Sequence, residues 1–360
     1  MSTKVMVAMS GGVDSSVAAA LLREQGYEVI GITMNLACSS QSYDRGCCSV
    51  SAANDAKRVA NKLGIAHYVL NFKEEFKRLV VDNFIEEYKN GRTPNPCIRC
   101  NQFIKFDLLL KKAKELGVEF VATGHYARII NSQPQTSSYK LLKGKDKKKE
   151  QSYVLYRLNQ GTLGHVLFPL GELTKEQVRK IAKDFDLPVA EKEESQEICF
   201  VEDDDYRQFL RKFVPEAIKP GPILDRSGNI VGMHGGIAFY TIGQRKGLGH
   251  HRGRPKYVVE INRVNNSIII GDDEEILRKE LVAEDVSFIS GKLPKGPLEI
   301  TAKIRYNCPE AEAVLYVGDR EQGIGNRVKV VFREPQRAIT PGQSVVFYKG
   351  EEVVGGGVIC

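Results

Sequence analysis

No stretch of this 360-residue chain approaches the roughly 18 uninterrupted apolar residues that a membrane-spanning helix needs. The apolar run that follows Lys4 is also too short for the core of a secretory signal. Both absences predict a soluble, cytoplasmic protein with no membrane partner. Eight cysteines are too few to staple a chain of this length, and close-spaced cysteines in a reducing compartment more often serve metal or catalysis. There is no second C-x-x-C and no H-x-x-x-H to complete a four-ligand zinc site. There is no internal repeat. The excess of one charge sign is small, a net +7, which permits a nucleic-acid partner without demanding one. With 42% hydrophobic residues the chain can build cores for two or three ordinary domains, which excludes disordered and fibrous classes.

What is present begins at Val5-Met6-Val7-Ala8, an apolar run, followed by Met9-Ser10-Gly11-Gly12-Val13-Asp14-Ser15-Ser16 and the helix-like Val17 to Leu22. Strand, glycine turn and helix start make a phosphate cradle: glycines let anionic oxygens approach backbone N–H groups, and the helix dipole favours negative charge there. The turn lacks the lysine of a Walker loop and carries Asp14 instead, suited to holding Mg²⁺ or the loop itself. The run S-G-G-V-D-S-S resembles the pyrophosphatase loop of enzymes that cleave ATP to AMP and pyrophosphate.

Strand-like and helix-like segments then alternate: Glu28 to Met34, Ser51 to Leu63, His67 to Leu70, Lys73 to Lys89, Phe106 to Leu116 and Phe120 to His125. That alternation predicts an α/β doubly wound parallel sheet, with ligands beyond the strand C-terminal ends, where Ser10 to Ser16, Met34 and Gly124 fall. Lys143 to Gln151, rich in lysine, reads as a loop. Thr174 and Gln177 form a capping box for a helix running toward Asp186. Past residue 205 the chain turns to Gly/Pro punctuation and short β-rich runs such as Val328 to Phe332 and Val345 to Tyr348. The expected division is a catalytic domain over 1–204, a small central domain over 205–278 and a C-terminal β-barrel over 279–360.

Cys97 and Cys100 form a C-x-x-C after Thr93-Pro94-Asn95-Pro96, and Cys199 sits in Ile198-Cys199-Phe200. The two prolines predict a stiff, non-helical loop presenting both sulfurs. Redox pair, half a zinc site and part of an iron–sulfur site all remain open on these residues alone. Cys38, Cys47, Cys48, Cys308 and Cys360 read as buried or incidental.

S-G-G-V-D-S-S, Gly91 to Asn101 (G-R-T-P-N-P-C-I-R-C-N), A-T-G-H-Y (Ala122 to Tyr126), Q-S-Y-V-L-Y (Gln151 to Tyr156), F-P-L-G-E-L (Phe168 to Leu173), I-C-F, G-Q-R-K-G-L-G (Gly243 to Gly249) and T-P-G-Q (Thr340 to Gln343) occur in order across nearly the whole chain. In that order the chain resembles tRNA-specific 2-thiouridylases. The resemblance implies a pyrophosphatase-loop domain of the adenine nucleotide α-hydrolase-like type, acting on the wobble uridine of certain tRNAs. It assigns ATP to Ala8, Met9, Ser10, Gly11, Gly12, Val13, Asp14, Ser15, Met34 and Gly124. Cys100 matches the nucleophile and Cys199 the sulfur-carrying cysteine. It assigns tRNA contacts to Asn95, Pro96, Cys97, His125, Lys149, Glu150, Gln151, Arg305, Tyr306 and Gln343.

The chain departs from the family at Cys97, where well-known members carry Asp, and at Ser195-Gln196-Glu197, where Ser-Thr-Gly is common. With Asp, the two remaining cysteines imply a persulfide and a closing disulfide. With Cys, a 4Fe-4S cluster on Cys97, Cys100 and Cys199 becomes the expectation, one iron staying open to hydrosulfide.

Oxide is a poor leaving group, so ATP with Mg²⁺ would adenylate the 2-oxo group before sulfur displaces AMP. The sulfur donor is a carrier protein, a cysteine desulfurase or free sulfide. A ligase acting on a small acid would leave the three cysteines unused, and an RNA-binding module would leave the ATP loop unused.

Overall fold

The computed structural model describes residues 2–36, 50–133, 138–193, 198–201, 205–248, 254–318 and 327–360. The first sheet is parallel throughout, in the order β3-β2-β1-β4-β7. Its strands are β1 (Lys4–Ala8), β2 (Glu28–Asn35), β3 (Ala66–Asn71), β4 (Phe120–Ala122) and β7 (Val166–Leu167). Because successive strand residues face opposite ways, Val5 and Val7 enter one core with α1 (Val13–Glu24), α2 (Val50–Leu63) and the Lys175–Asp184 helix. Met6 and Ala8 enter the other, against Leu109, Leu110 and Ala113 of the Leu109–Glu115 helix. Helices thus cover both faces, as a doubly wound sheet requires.

The expected strand through His125 stops at Ala122, and the non-helical proline loop is overturned. Pro96 opens a helix. Its missing N–H costs nothing at the first helical position, and the Asn95 side chain accepts the Cys97 N–H at 3.1 Å. Pro96–Arg99 then continues as a π-helical stretch, Cys100–Leu108.

A hairpin unforeseen from the sequence, β5 (Ala127–Gln133) and β6 (Ser138–Lys143), leaves the first sheet and pairs through Leu142 with Glu352 near the chain's end. The central sheet runs β10-β11-β8-β9, from β8 (Gly221–Leu224), β9 (Ile230–His234), β10 (Tyr257–Asn262) and β11 (Ser267–Gly271). The last six strands are β12 (Leu277–Phe288), β13 (Leu298–Lys303), β14 (Ala311–Val317), β15 (Val328–Arg337), β16 (Ser344–Lys349) and β17 (Glu352–Ile359). They close into a barrel through β12 and β17 around Leu315, Val330, Val345 and Phe347. Among the described residues no helix is long and apolar enough to cross a membrane.

Candidate active site

The loop between β1 and α1 is tied by its own hydroxyls. Ser15 Oγ accepts from Ser10 N at 3.2 Å and donates to Gly12 O, and Ser16 Oγ donates to Gly12 O at 2.8 Å. Gly11 has φ +68, and a Cβ there would lie 2.2 Å from the Ala52 carbonyl oxygen. A Cβ on Gly124 would lie 2.8 Å from Asp14 C and Ser15 N, so the β4 end presses bare backbone against the loop. Met34 packs in the same apolar cluster as Ala8. The residues assigned to ATP therefore lie together.

Asp14 is less open than the sequence suggests. Its Oδ1 accepts the Tyr126 hydroxyl at 2.8 Å and the Lys175 ammonium at 2.7 Å. On the other side of the loop, Lys192 Nζ donates to Gly11 O at 3.0 Å and to Asp55 at 2.6 Å. Sequence reading missed Tyr126, Lys175 and Lys192. The A-T-G-H-Y motif held the first; the lysines lie more than 160 residues from the loop in sequence, with no spacing to flag them.

Cys100 is buried and Cys199 half-buried, and both pack in one cluster with Met34, Phe76, Phe84 and Phe209. Phe200, beside Cys199, meets Phe76, Phe84 and Phe209 edge to face with centroids 5.2–5.7 Å apart. Cys97 is exposed. Burial pushes the Tyr306 hydroxyl up to about 12, with Glu150 and Cys97 adding to the effect, which puts Cys97 near the barrel rather than deep in the aromatic cluster.

The segment that leads into the cysteine-bearing helix is clamped from two domains. Gln343 Nε2 donates to Thr93 O at 2.8 Å, Thr93 N donates to Pro341 O at 2.9 Å, and Thr93 Oγ1 lies 3.0 Å from Thr241 Oγ1. Tyr306 donates to Glu150 O, Arg305 to Ala338 O and Arg337 O, and the Gln151 side chain accepts the Tyr126 N–H at 3.0 Å. Lys149 follows a turn organised by Asp146. Burial raises that carboxyl, but the N–H groups of Lys175, Lys148 and Lys149 outweigh it and hold it below its ordinary value. His125 is buried between Phe106 and Phe168, with Nδ1 2.7 Å from Thr123 Oγ1. Burial and nearby Lys105 keep it well below its ordinary pKa, so it is neutral at pH 7.

Residues 3–203 match the family model described as tRNA methyl transferase HUP domain. Residues 207–272 match its PRC-barrel domain and residues 278–359 the aminomethyltransferase beta-barrel domain. The chain is 54% identical to tRNA-specific 2-thiouridylase MnmA of Carboxydothermus hydrogenoformans, over 99% of this chain and 97% of that one. The chain belongs to the tRNA-specific 2-thiouridylase family. A second such thiouridylase, from Acetivibrio thermocellus, is 53% identical with 99% of each chain covered. A solved 4-thiouridine synthetase–RNA complex with bound ATP shares 18% identity, with a TM-score of 0.35 over 60% of this chain and 51% of that one.

Among the described residues no three His, Cys, Asp or Glu side chains gather as a metal-holding group. Cys97 is exposed near Tyr306 while Cys100 and Cys199 pack among aromatic rings, which lends the expected 4Fe-4S cluster no support. Cys38, Cys47, Cys48, Ser195, Gln196, Glu197 and Gly249 lie outside the described residues.

Proposed function

We propose that this chain is an ATP-dependent tRNA sulfurtransferase that converts a wobble uridine to 2-thiouridine, releasing AMP and pyrophosphate. The observation that carries this reading is the single apolar cluster holding Met34, at the nucleotide end, together with Cys100 and Cys199. Activation and sulfur delivery then share one site. Ala8 to Ser15, Met34 and Gly124 hold ATP. Mg²⁺ arriving with the triphosphate needs only one or two protein carboxylates, and Asp14 fits that role; bound there it would neutralise phosphate charge.

The uridine O2 attacks the α-phosphorus, the bond to the β-phosphate breaks, and pyrophosphate leaves while N3 loses its proton to solvent. The terminal sulfur of a Cys199 persulfide then adds at C2, and AMP departs carrying the former O2. The Cys100 thiolate attacks Cys199 Sγ, the S–S bond to the new thiouridine sulfur breaks, and a Cys100–Cys199 disulfide remains for an external thiol to reduce. An anticodon-loop base is already single-stranded, so splaying it into the site costs little. Asn95, Pro96, Cys97, Lys149, Glu150, Gln151, Arg305, Tyr306 and Gln343 are the tRNA contacts of this reading. His125, buried with Nδ1 2.7 Å from Thr123 Oγ1, holds Thr123 in place instead of meeting tRNA. A persulfide on a carrier protein or a desulfurase passes its outer sulfur to the Cys199 thiolate and leaves as a thiolate, or free sulfide attacks Cys199 Sγ of the Cys100–Cys199 disulfide, breaking the S–S bond and releasing the Cys100 thiolate.

The test incubates the full chain with unmodified tRNA, labelled ATP and a persulfide source, then follows AMP and 2-thiouridine by chromatography and mass spectrometry. Both should appear together and depend on tRNA. AMP release indifferent to tRNA would return the chain to the small-acid ligase reading.

A further inference from the structure

The nucleotide loop has no lysine, yet the structure brings two to it from segments far along the chain. Lys175 is the first residue of the Lys175–Asp184 helix, and its side chain is 11% exposed with Nζ 2.7 Å from Asp14 Oδ1. Lys192 reaches Gly11 O and Asp55 at the opposite end of the same short turn. We propose that Lys175 and Lys192 are phosphate-binding residues of this site, gripping the β- and γ-phosphates of ATP and the pyrophosphate that leaves. This inference rests on the ATP reading above.

Stability alone gives a poor account of the arrangement. Lys175 opens its own helix and reaches Asp14 in the first turn of α1, so its charge sits near two helix N-termini, where dipoles disfavour cations. An anion between the loop and these lysines reverses that sign. It would also share the cation that Asp14 now compensates in a nearly enclosed position. The chemistry has the same requirement. As the bond between the α-phosphorus and the bridging oxygen breaks, negative charge grows on pyrophosphate, and a preorganised ammonium stabilises it where the loop offers only backbone and hydroxyls.

Lys175 is also held in place. Its backbone N–H donates to Asp146 at 2.8 Å, and its ammonium lies 6.0 Å from the Tyr126 ring centroid, whose hydroxyl reaches the same Asp14 oxygen.

Calorimetric titration of the full-length protein with inorganic pyrophosphate, AMP and ATP tests this directly. Lys175→Met and Lys192→Met should each raise the pyrophosphate Kd at least tenfold while the AMP Kd stays within twofold, and Lys175→Arg should recover most of the loss. Asp55→Asn separates the roles for Lys192. If Lys192 only bridges α2 to the loop, Asp55→Asn mimics Lys192→Met; if it binds phosphate, pyrophosphate affinity is kept or raised. Methionine variants that bind pyrophosphate like the parent overturn the inference. So does a parallel loss of AMP and pyrophosphate that Lys175→Arg does not repair. A parent protein that binds neither ATP nor pyrophosphate instead sinks the ATP reading itself.

Discussion

Cys97 and Cys100 are three residues apart and face different surroundings, one exposed near Tyr306 and one buried among aromatic rings. On the proposed chemistry Cys100→Ser should abolish 2-thiouridine while tRNA-dependent AMP release persists, and Cys97→Ser should keep thiolation within about threefold, a loss worth ~0.7 kcal/mol. Nucleoside analysis of digested tRNA decides it; equal loss in both variants sinks the two-cysteine relay. His125 makes a different prediction. The unfolded imidazole titrates near 6.5, whereas the buried one is held well below that value. Between those two values the unfolded state therefore binds more protons than the folded one. Stability present at neutral pH is lost as pH falls from 6.5 toward the folded value, at up to ~1.4 kcal/mol per pH unit. Thermal melts from pH 7 to 5 should slope less steeply in His125→Asn than in the parent, and identical slopes would remove His125 as the source.

At the scale of elements, the helix that opens at Pro96 shows how proline acts by position. Two prolines in five residues read as a rigid loop, but Pro96 stands at the one turn where its missing donor is harmless and its fixed φ suits a helix. The T-P-G-Q turn lies far from that helix in sequence and holds its approach: Gln343 donates to Thr93 O and Pro94 O, and a Cβ on Gly342 would lie 2.8 Å from Thr93 N. Gln343→Ala removes both donations from a half-buried amide, a change of about 1–2 kcal/mol. The expected result is a roughly tenfold slower thiolation with ATP affinity intact, since 1.4 kcal/mol is a factor of ten. An unaltered thiolation rate would show that the clamp does not position the cysteines. The 174–184 capping box was readable in advance because its Thr174 and Gln177 signals are local.

Over the whole molecule, three domains meet around one loop: Thr93 bonds the barrel at Pro341 and Gln343 and meets the central domain at Thr241. Buried tyrosines reinforce the first contact, with Tyr153 donating to Ser344 O and Tyr156 Oη 3.1 Å from Ser344 Oγ. A tRNA spanning this junction would meet exposed Lys147 and Lys148 beside Lys149. Each phosphate contact should contribute about 0.7–0.9 log unit of affinity per decade of salt. Reversing charge at 147–149 should therefore flatten the salt dependence of tRNA binding measured by filter retention. An unchanged slope would make that loop a solvated surface.

The strand-loop-helix start, the alternating α/β order and the change to β-rich segments past residue 205 were legible because hydrophobic period, glycine turns and caps act over a few residues. The glycine loop after β1 and the cysteines stood out for the same reason: their signals are written in short spacings. The partnership of Lys175 with Asp14, the burial of His125, the unequal settings of Cys97 and Cys100, and the β5–β6 hairpin joining the barrel needed the tertiary structure. These depend on which distant segments share a low-dielectric neighbourhood, and local sequence carries no record of that. The amino-acid order determined which groups are available for catalysis, while packing decided which of them face one another, which are dry and which keep their charge.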